Sequence, residues 1–503
     1  MKTWTMGLAA LLTATALAGP AGAQTLRIGL QEDLDTLDPT TARTYVSRIV
    51  FAGLCDKLVD YDAELNYRPQ LATEWQISDD GRSVTFKLRP NVKFHDGEPM
   101  DAEAVKFSIE RHQNFPESRR KSEINVVQSV EVVDPLTVRL NLSQAFSPLI
   151  SQFADRAGMI VSPKAAREAG ANFGQKPVCA GPFRFVERVV QDRIVLEKFA
   201  DYWDAGNIHV QRVVYQPFPD TTVRLSNLQA GSLDLIERMA PSDLAAAKRD
   251  RRLKVEQITS LGYQGITVNV NNGPRADNPL GKDPRVREAF ELAIDRDVIN
   301  QVAFEGAYTP GNQPVPPNNP YYDKSTPIPK RDVAAAKKLL QEAGVRTPFP
   351  VELLISNSSL EAQVGQIIQA MAAEAGFDVK LMATEFASGL AMQTRGEFQA
   401  FRVGWSGRTD PDGNIHVFWH SQGSQNDSKY ANPEVDRLVD TAREVSSLED
   451  RRRLYNEANR IYQKDGAIIY LYHQNNLFAM TSKLTGFQAN PDGLIRIQGI
   501  KLQ

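Results

Sequence analysis

The chain has 503 residues, which is enough to bury a large core and to form more than one domain. Hydrophobic residues account for 42% and charged residues for 24%, the balance of an ordinary soluble globular protein. The formal net charge of −3 argues against nonspecific binding to nucleic acid or to anionic lipid.

The first 23 residues are typical of a cleaved secretory signal peptide. Lys2 precedes an apolar run at 6–18, and Ala21-Gly22-Ala23 forms a small-x-small cleavage site. The apolar run is too short to cross a bilayer comfortably, so an anchoring helix is disfavoured. We therefore expect an exported and soluble mature protein.

The chain has two cysteines, Cys55 and Cys179. Export permits a disulfide bond between them. The alternative is two buried free thiols, and only the geometry decides between the two. We favour the disulfide.

Predicted strands dominate the first half of the chain. Alternation predicts a first strand at 25–30, and a helix follows at 47–55. Hairpins are predicted at 76–89, with an Asp-Gly turn, and at 126–142. A helix capped by Asp101 lies between them. Further strands are expected at 183–188, 193–197, 210–217, 233–236, 255–258 and 263–270.

The second half alternates between helices and strands. A helix with an Asp-Pro start begins at Asp283, and a loop rich in Pro and Asn covers 309–330. The alternation implies a sheet with parallel strands. The halves join near 269–274, and crossover strands between two lobes predict a hinge and a cleft. The later elements are helices at 333–343, 360–375, 433–445 and 449–463, and strands at 351–355, 377–381 and 468–472.

One strand and loop, at 399–414, has the composition of a ligand-binding segment. Gly404 and Gly407 end an alternating strand, and an aromatic, a cation and an acid follow at Trp405, Arg408 and Asp410. Ligands of open α/β sheets bind beyond the carboxyl ends of strands. An ordinary surface turn with a packed tryptophan fits the same residues equally well.

Signatures of enzymes are scarce. The sequence has no His-Glu-x-x-His helix, no Walker loop and no Gly-x-Gly-x-x-Gly after a strand. His416 and His420 are four residues apart and could share a helix face as metal ligands. No neighbouring carboxylate or cysteine completes an obvious site, so a structural role is favoured. We expect no enzyme activity, cofactor or metal.

Several runs, taken in order, identify a family. The most specific are PQLATEW at 69–75, DDG at 79–81 and TFKLRPNVKFHDG at 85–97. They are followed by AVKFS at 104–108, AGPF at 180–183, DYW at 201–203, LQAGSLD at 228–234 and VREAF at 286–290. The chain resembles the extracellular solute-binding proteins of ABC importers, family 5, which is the peptide, nickel and opine group.

The resemblance implies an α/β, bilobal periplasmic-binding-protein fold of class II. It is the large type, with an extra subdomain inserted in the first lobe and a hinge between the lobes. The implied divisions are a signal peptide at 1–23, a lobe I core at 24–55, 177–268 and 482–503, an inserted subdomain at 56–176, and lobe II at 269–481. Such a receptor closes over its ligand and delivers it to an inner-membrane permease with its ATPase. We expect a monomer.

The resemblance also gives the loop at 404–408 a role. In peptide-binding relatives, a Gly-Trp loop carries an aspartate that pairs with the peptide's α-amino group. Here Gly404-Trp405-Ser406-Gly407 is followed by Arg408. A guanidinium in a closed cleft favours carboxylate or phosphate. Alternatively, Asp410 takes the amine role, or Arg408 turns to a structural carboxylate such as Asp410 or Asp412.

The leading hypothesis is a receptor for a small anionic or zwitterionic ligand, such as a modified peptide or an opine-like compound. The alternative is an ordinary di- or oligopeptide-binding protein. A secreted hydrolase would need a nucleophile–base pair, and a nickel-chelate receptor would use His416. Arg119 and Arg120 could reach the cleft from the inserted subdomain. The expected ligand-binding residues are Arg408, Trp405, Asp410, Tyr45, Arg43, Tyr263, Gln264 and Trp419.

Overall fold

The computed structural model describes residues 24–503, so the predicted signal peptide at 1–23 lies outside the described residues. Two mixed sheets form the cores of two lobes, and a smaller antiparallel sheet belongs to the inserted subdomain. Helices cover the large sheets. The α/β class predicted from the sequence is confirmed.

The strands are β1 (Thr25–Leu30), β2 (Val59–Tyr61), β3 (Tyr67–Pro69), β4 (Ala72–Ile77), β5 (Ser83–Leu88), β6 (Val127–Asp134), β7 (Thr137–Leu142), β8 (Phe183–Val189), β9 (Arg193–Lys198), β10 (Arg212–Pro217), β11 (Leu235–Ile236), β12 (Leu253–Thr259), β13 (Tyr263–Val268), β14 (Thr309–Pro310), β15 (Phe349–Ser356), β16 (Phe377–Thr384), β17 (Ala400–Trp405), β18 (Ile468–His473), β19 (Asn475–Thr481), β20 (Leu484–Thr485) and β21 (Lys501–Leu502).

The α-helices are α1 (Tyr45–Leu54), α2 (Ala102–Asn114), α3 (Lys121–Ile124), α4 (Leu149–Phe153), α5 (Pro163–Ala169), α6 (Thr221–Gln229), α7 (Leu244–Arg249), α8 (Pro279–Lys282), α9 (Pro284–Leu292), α10 (Arg296–Phe304), α11 (Val333–Glu342), α12 (Ser359–Glu374), α13 (Phe386–Thr394), α14 (Asp412–Trp419), α15 (Pro433–Glu444) and α16 (Leu448–Asp465). Short 3-10 helices lie at Arg156–Gly158, Gly170–Gln175, Ala205–Asn207, Pro241–Asp243 and Pro274–Ala276.

The sheet of the first lobe has the strand order β12-β19-β11-β1-β10-β9-β8. β1 is central and pairs in parallel with both β10 and β11. The sheet of the second lobe has the order β14-β18-β13-β17-β15-β16, in which β15 pairs in parallel with β16 and β17. The predicted βαβ pattern of the second half is confirmed in β15-α12-β16.

Local capping fixes where the helices begin. Thr44 accepts a hydrogen bond from the backbone N–H of Ser47 at 3.3 Å, so α1 begins at Tyr45, earlier than the predicted residue 47. Asp101 caps α2 through the N–H of Ala104 at 3.0 Å, as its sequence position predicts.

The chain passes between the lobes twice, at adjacent points. β12 of the first sheet leads through residues 260–262 to β13 of the second, and β18 returns through Gln474 to β19. The backbone N–H of Ser260 donates to the carbonyl of Gln474 at 3.0 Å, so the two connections form one hinge. The predicted boundaries after 268 and 481 are each about one strand too late, because nothing in the strands on either side of a crossing shows which sheet each strand joins.

The inserted subdomain has a core of its own, around the sheet β4-β5-β7-β6. Both predicted hairpins are present in that sheet. Cys55, at the end of α1, forms a disulfide bond with Cys179, where the chain returns from the subdomain. The bond therefore joins the chain at both ends of the insertion.

Candidate functional site

A cavity lies between the two lobes beside the hinge, and both large sheets contribute to its walls. The residues after β1 and β11 line one side, and those of β13, β15 and β17 line the other. Four of these strands are parallel members of their sheets, so the cavity lies at the carboxyl ends where open α/β sheets bind ligands.

The wall from the first lobe carries one acidic and one basic side chain, those of Glu32 and Arg238. Glu32 and Arg238 each lie two residues beyond the end of a strand, and those strands are parallel neighbours. The Arg238 guanidinium carbon lies 4.4 Å from the centre of the Tyr45 ring. Its Nε lies 3.6 Å from Glu237 Oε2. Burial opposes the charge of Arg238, but Glu237, Tyr45 and Glu32 together outweigh burial and raise the pKa of Arg238.

Glu32 is a buried carboxylate without a direct partner. Glu32 is only 7% exposed, and its side chain makes no hydrogen bond or ion pair with any residue described in the range 24–503. Burial raises the pKa of Glu32 to about 8, although the charge of Arg238 acts in the opposite direction. A buried unpaired carboxylate is costly. The cavity therefore offers this carboxylate to a cation.

The wall from the second lobe is organised by Arg402. This residue of β17 is 1% exposed, and its Nη1 donates to Gln264 Oε1 at 2.8 Å. Its Nη2 pairs with Glu361 Oε1 at 3.2 Å and also donates to the hydroxyl of Tyr472. A Cβ at Gly404 would lie 2.1 Å from Gln264 Oε1, so glycine there leaves room for the amide.

Aromatic side chains form an apolar part of the cavity. Trp405 and Tyr263 both contact Phe418 edge to face, with ring centres 5.0 Å and 5.9 Å away. Trp405 Nε1 donates to the carbonyl of Gly413 at 2.9 Å, which fixes the orientation of its ring. A ligand in this cavity would meet charge on both lobes and aromatic surface between them.

The lobes are closed over this cavity and hold each other at its edge. Arg43 belongs to the first lobe, but its Nη2 lies 2.6 Å from Asp427 Oδ2 of the second. Its Nη1 donates to the carbonyl of Leu390 at 3.2 Å. Arg43 and Leu390 also line a second, more open cavity. The Arg43–Asp427 pair therefore stands between the two cavities.

A second contact between the lobes involves Arg408. Its Nε pairs with Oδ2 of Asp155 in the inserted subdomain. Arg48 of α1 donates to the other oxygen of Asp155 at 3.0 Å. Burial lowers the pKa of Arg408 to about 10. Burial also works against the Asp155 carboxylate, but Arg408 and Arg48 hold its pKa well below the ordinary value.

Comparison with known proteins assigns this architecture. Residues 66–426 match the family described as bacterial extracellular solute-binding proteins, family 5 Middle. The chain belongs to family 5 of the bacterial extracellular solute-binding proteins. The resemblance inferred from the sequence is thereby confirmed, and this family 5 protein is a substrate-binding receptor of an ABC importer.

Two similar relatives are glutathione-binding proteins named GsiB. That of Pectobacterium atrosepticum is 31% identical over 510 residues, covering 98% of this chain and 98% of the relative. That of Salmonella paratyphi A is 32% identical over 501 residues, covering 96% of each. The family and its relatives are binding proteins of transporters and not enzymes.

Solved structures share the whole fold. Helicobacter pylori DppA, in complex with the peptide STSA, superposes with a TM-score of 0.88 at 25% identity, covering 95% of this chain and 98% of that one. AgaA of A. tumefaciens R10, in complex with agropinic acid, gives 0.86 at 26% identity, covering 95% and 99%. The predicted bilobal periplasmic-binding-protein fold is confirmed. Within residues 24–503, every helix is too short or too polar to span a membrane.

Five of the eight expected ligand-binding residues of this family 5 protein line the cavity. They are Tyr45, Arg43, Tyr263, Gln264 and Trp405. Their contact with ligand remains a prediction.

The other three do not line the cavity. Arg408 does turn to a structural carboxylate, but its partner is Asp155 and not Asp410 or Asp412. Asp410 Oδ1 pairs with Arg451 Nη2 at 2.7 Å.

Trp419 is also accounted for by packing. Its Nε1 donates to the hydroxyl of Tyr470 at 2.9 Å, and its ring stacks on Tyr462. Of the two arginines of the inserted subdomain, Arg120 is fully buried against Glu123. Arg119 reaches the second lobe, where its Nη2 donates to Thr394 Oγ1 at 3.2 Å.

Sequence reasoning missed four of the five charged residues that line the cavity, Arg43 being the exception. Glu32 and Arg238 directly follow predicted strands, so the carboxyl-end rule applied to every parallel strand would have found them. Glu361 lies in the first turn of a helix that follows β15 and could be found in the same way. Arg402 gave no such signal, because it lies inside a strand, where a charged residue ordinarily faces solvent.

Proposed function

We propose that this family 5 receptor captures a short zwitterionic peptide of the glutathione class in the cleft between its lobes. Binding closes the lobes, and the closed receptor delivers its ligand to a membrane permease. The ligand is bound and released without chemical change. The named relatives support the peptide class, and the charges of the cleft support a ligand with both signs of charge.

The observation that carries the proposal is the unpaired Glu32 in one cavity with the guanidinium groups of Arg238 and Arg402. Its carboxylate is suited to the α-ammonium group of a peptide-like ligand. The Nε atoms of Arg238 and Arg402 are buried without a hydrogen-bond acceptor among the described residues. These two arginines, one on each lobe, are suited to the carboxylates of the same ligand.

Glu32 also gives the ligand a means of favouring closure. Closing the empty cleft buries its carboxylate without a partner, which costs free energy. An ammonium group of the ligand pairs with the carboxylate and removes that cost in the closed state. In the open state the carboxylate is hydrated, so the same pairing lowers the free energy little. A ligand shifts a conformational equilibrium only through such a difference in interactions. The loaded protein is therefore the one that closes.

The closed geometry favours a short ligand over a long peptide. Arg43 and Asp427 form an ion pair that separates the cavity between the lobes from the second, more open cavity. A peptide extending into both cavities would have to displace this pair. An ordinary oligopeptide receptor, the alternative, would therefore require a different arrangement of Arg43.

We further propose that residues 1–23 direct export and that the mature receptor works in the periplasm as a monomer. Its partners would be the ligand and an inner-membrane permease with its ATPase. Nucleic acid is not among the proposed partners, since the chain has no net positive charge.

Calorimetric titration of the mature protein tests the proposal. Reduced glutathione, a Met-Leu dipeptide, a nonapeptide and agropinic acid would be titrated separately, after unfolding and refolding to remove any ligand that copurifies. We expect tight binding of glutathione, with the nonapeptide at least about 100-fold weaker, which is about 2.7 kcal/mol. Binding of the nonapeptide as tight as that of glutathione would favour the oligopeptide alternative.

A further inference from the structure

A cluster of three metal-ligating side chains lies outside the cleft, where α14 packs against α15. His416 is in the last turn of α14, and His420 follows that helix. Asp440 projects from the facing helix α15. None of these three residues is part of the wall of the cavity between the lobes. The sequence alone did not identify a carboxylate ligand for the two histidines, but the packing of α15 against α14 places Asp440 beside them.

The ligand atoms of the cluster converge on one point. His416 Nε2 lies 3.0 Å from Asp440 Oδ1, and His420 Nε2 lies 3.3 Å from Asp440 Oδ2. The imidazole rings stack with centres 4.5 Å apart and planes 12° apart. The potential ligand atoms all lie within 4.8 Å of one another. Ligands about 2.0–2.1 Å from a tetrahedral ion are about 3.3 Å from each other, so small side-chain rotations suffice.

We propose that His416, His420 and Asp440 bind a divalent transition-metal ion of the zinc class. Two imidazoles and a carboxylate form a ligand set that zinc accepts, whereas calcium and magnesium prefer oxygen ligands alone. The Asp440 side chain is 49% exposed, so the ion reaches the site from solvent and water completes its coordination. This site is independent of the proposed peptide ligand.

The surroundings of the cluster limit its affinity. Nδ1 of His416 is buried and has no hydrogen-bond partner in the described chain. A metal on Nε2 requires the proton on Nδ1, where no acceptor receives it. Loss of such a supporting partner costs about 10- to 100-fold in metal affinity. We therefore expect a dissociation constant in the micromolar range.

A bound ion would join α14 to α15 near a contact between the lobes. Asp412, in the first turn of α14, pairs with Arg443 of α15 at 2.7 Å. Asp412 also accepts a hydrogen bond from Gln152 of the inserted subdomain at 3.2 Å. The metal would add a link between α14 and α15 to the two contacts that Asp412 makes in this region of the second lobe.

The test uses the mature protein without a histidine tag, dialysed against a chelator and titrated with zinc chloride in a calorimeter. We expect one equivalent to bind with micromolar affinity and cobalt(II) to give the visible absorption of a low-coordinate site. His420→Ala and Asp440→Asn should each weaken zinc binding at least tenfold. His209→Ala, which removes a half-buried histidine elsewhere, is the matched control and should change nothing.

Circular dichroism and the melting temperature establish that each variant is folded. Absence of one-equivalent binding to the wild-type protein would overturn the proposal. Equal affinities for wild type, His420→Ala and Asp440→Asn would overturn it as well. Neither result depends on whether glutathione binds, so failure of this site and failure of the proposed peptide specificity are distinguishable.

Discussion

Arg408 of the second lobe forms an ion pair with Asp155 of the inserted subdomain, and the two side chains are 8% and 7% exposed. The pair joins the two lobes, because each partner belongs to a different lobe. Arg48, on the same lobe as Asp155, also pairs with that carboxylate, so Asp155 has a second partner that does not depend on Arg408. We therefore expect Arg408 to stabilise closure rather than to bind the ligand.

Arg408→Ala is expected to weaken binding of every ligand by a similar factor. Loss of the pair lowers the population of the closed, binding-competent form, and apparent affinity falls in proportion. We expect at least about a tenfold loss for reduced glutathione, or about 1.4 kcal/mol, in calorimetric titrations. In a double-mutant cycle, Asp155→Ala should add little to Arg408→Ala.

Lys93→Ala is the control, since its partner in the ion pair, Asp201, is 57% exposed and such pairs contribute little. A loss in Arg408→Ala that is confined to acidic ligands would restore direct ligand contact by Arg408.

Glu32 makes the ligand-free protein sensitive to pH. Its pKa in the closed form is about 8, raised from 4.5 by burial, so this form retains a proton that the open form releases. Between these two values, raising the pH therefore destabilises the closed empty form, by at most about 1.4 kcal/mol per pH unit. Small-angle scattering should show the radius of gyration increasing over this range. Glu32→Gln should remove the change, and an identical pH response in this variant would refute the role of Glu32.

Arg238→Lys keeps a positive charge beside Glu237 but loses the planar guanidinium. We expect about a tenfold loss of affinity for reduced glutathione, because an ammonium cannot pair bidentately with a carboxylate. The C-terminal amide of glutathione should bind wild type and variant alike. Calorimetry with the two compounds measures the difference. An equal loss for both would mean that Arg238 does not bind that carboxylate.

The Cys55–Cys179 bond closes a loop with a sequence separation of 124, so its loss increases the entropy of the unfolded chain. Replacing both cysteines with serine should lower the free energy of unfolding by about 4 kcal/mol. Urea denaturation with and without reductant measures this. Reductant should lower the stability of the wild type and leave the serine variant unchanged. A difference below about 1 kcal/mol between oxidised wild type and variant would contradict the expectation.

Patterns local to a few residues predicted much of the fold. The caps at Asp101 and Asp283, the two hairpins and the βαβ alternation depend on neighbouring residues, and the structure contains them. The hinge positions could not be found this way. β13 and β18 are buried along their length, and the polar residues at 473–476 are typical of any turn, so the sequence does not show which sheet each strand joins.

The site was only partly predictable for the same reason. Tyr45 and Trp405 stand beside recognisable strand ends or helix starts. The partner of Arg408, by contrast, is Asp155, far away in sequence, and only the docking of the lobes brings them together. Asp440 completes the histidine pair through helix packing, which no spacing in the sequence reveals.

The central claim is that Glu32 binds the ammonium group of a short peptide of the glutathione class. It is tested most directly by titrating wild type and Glu32→Gln with reduced glutathione and with N-acetylglutathione. We predict that acetylation weakens binding to wild type at least about 100-fold, or about 2.7 kcal/mol, and has little effect on Glu32→Gln. An equal effect of acetylation on both proteins, or binding of neither compound to wild type, would contradict the claim.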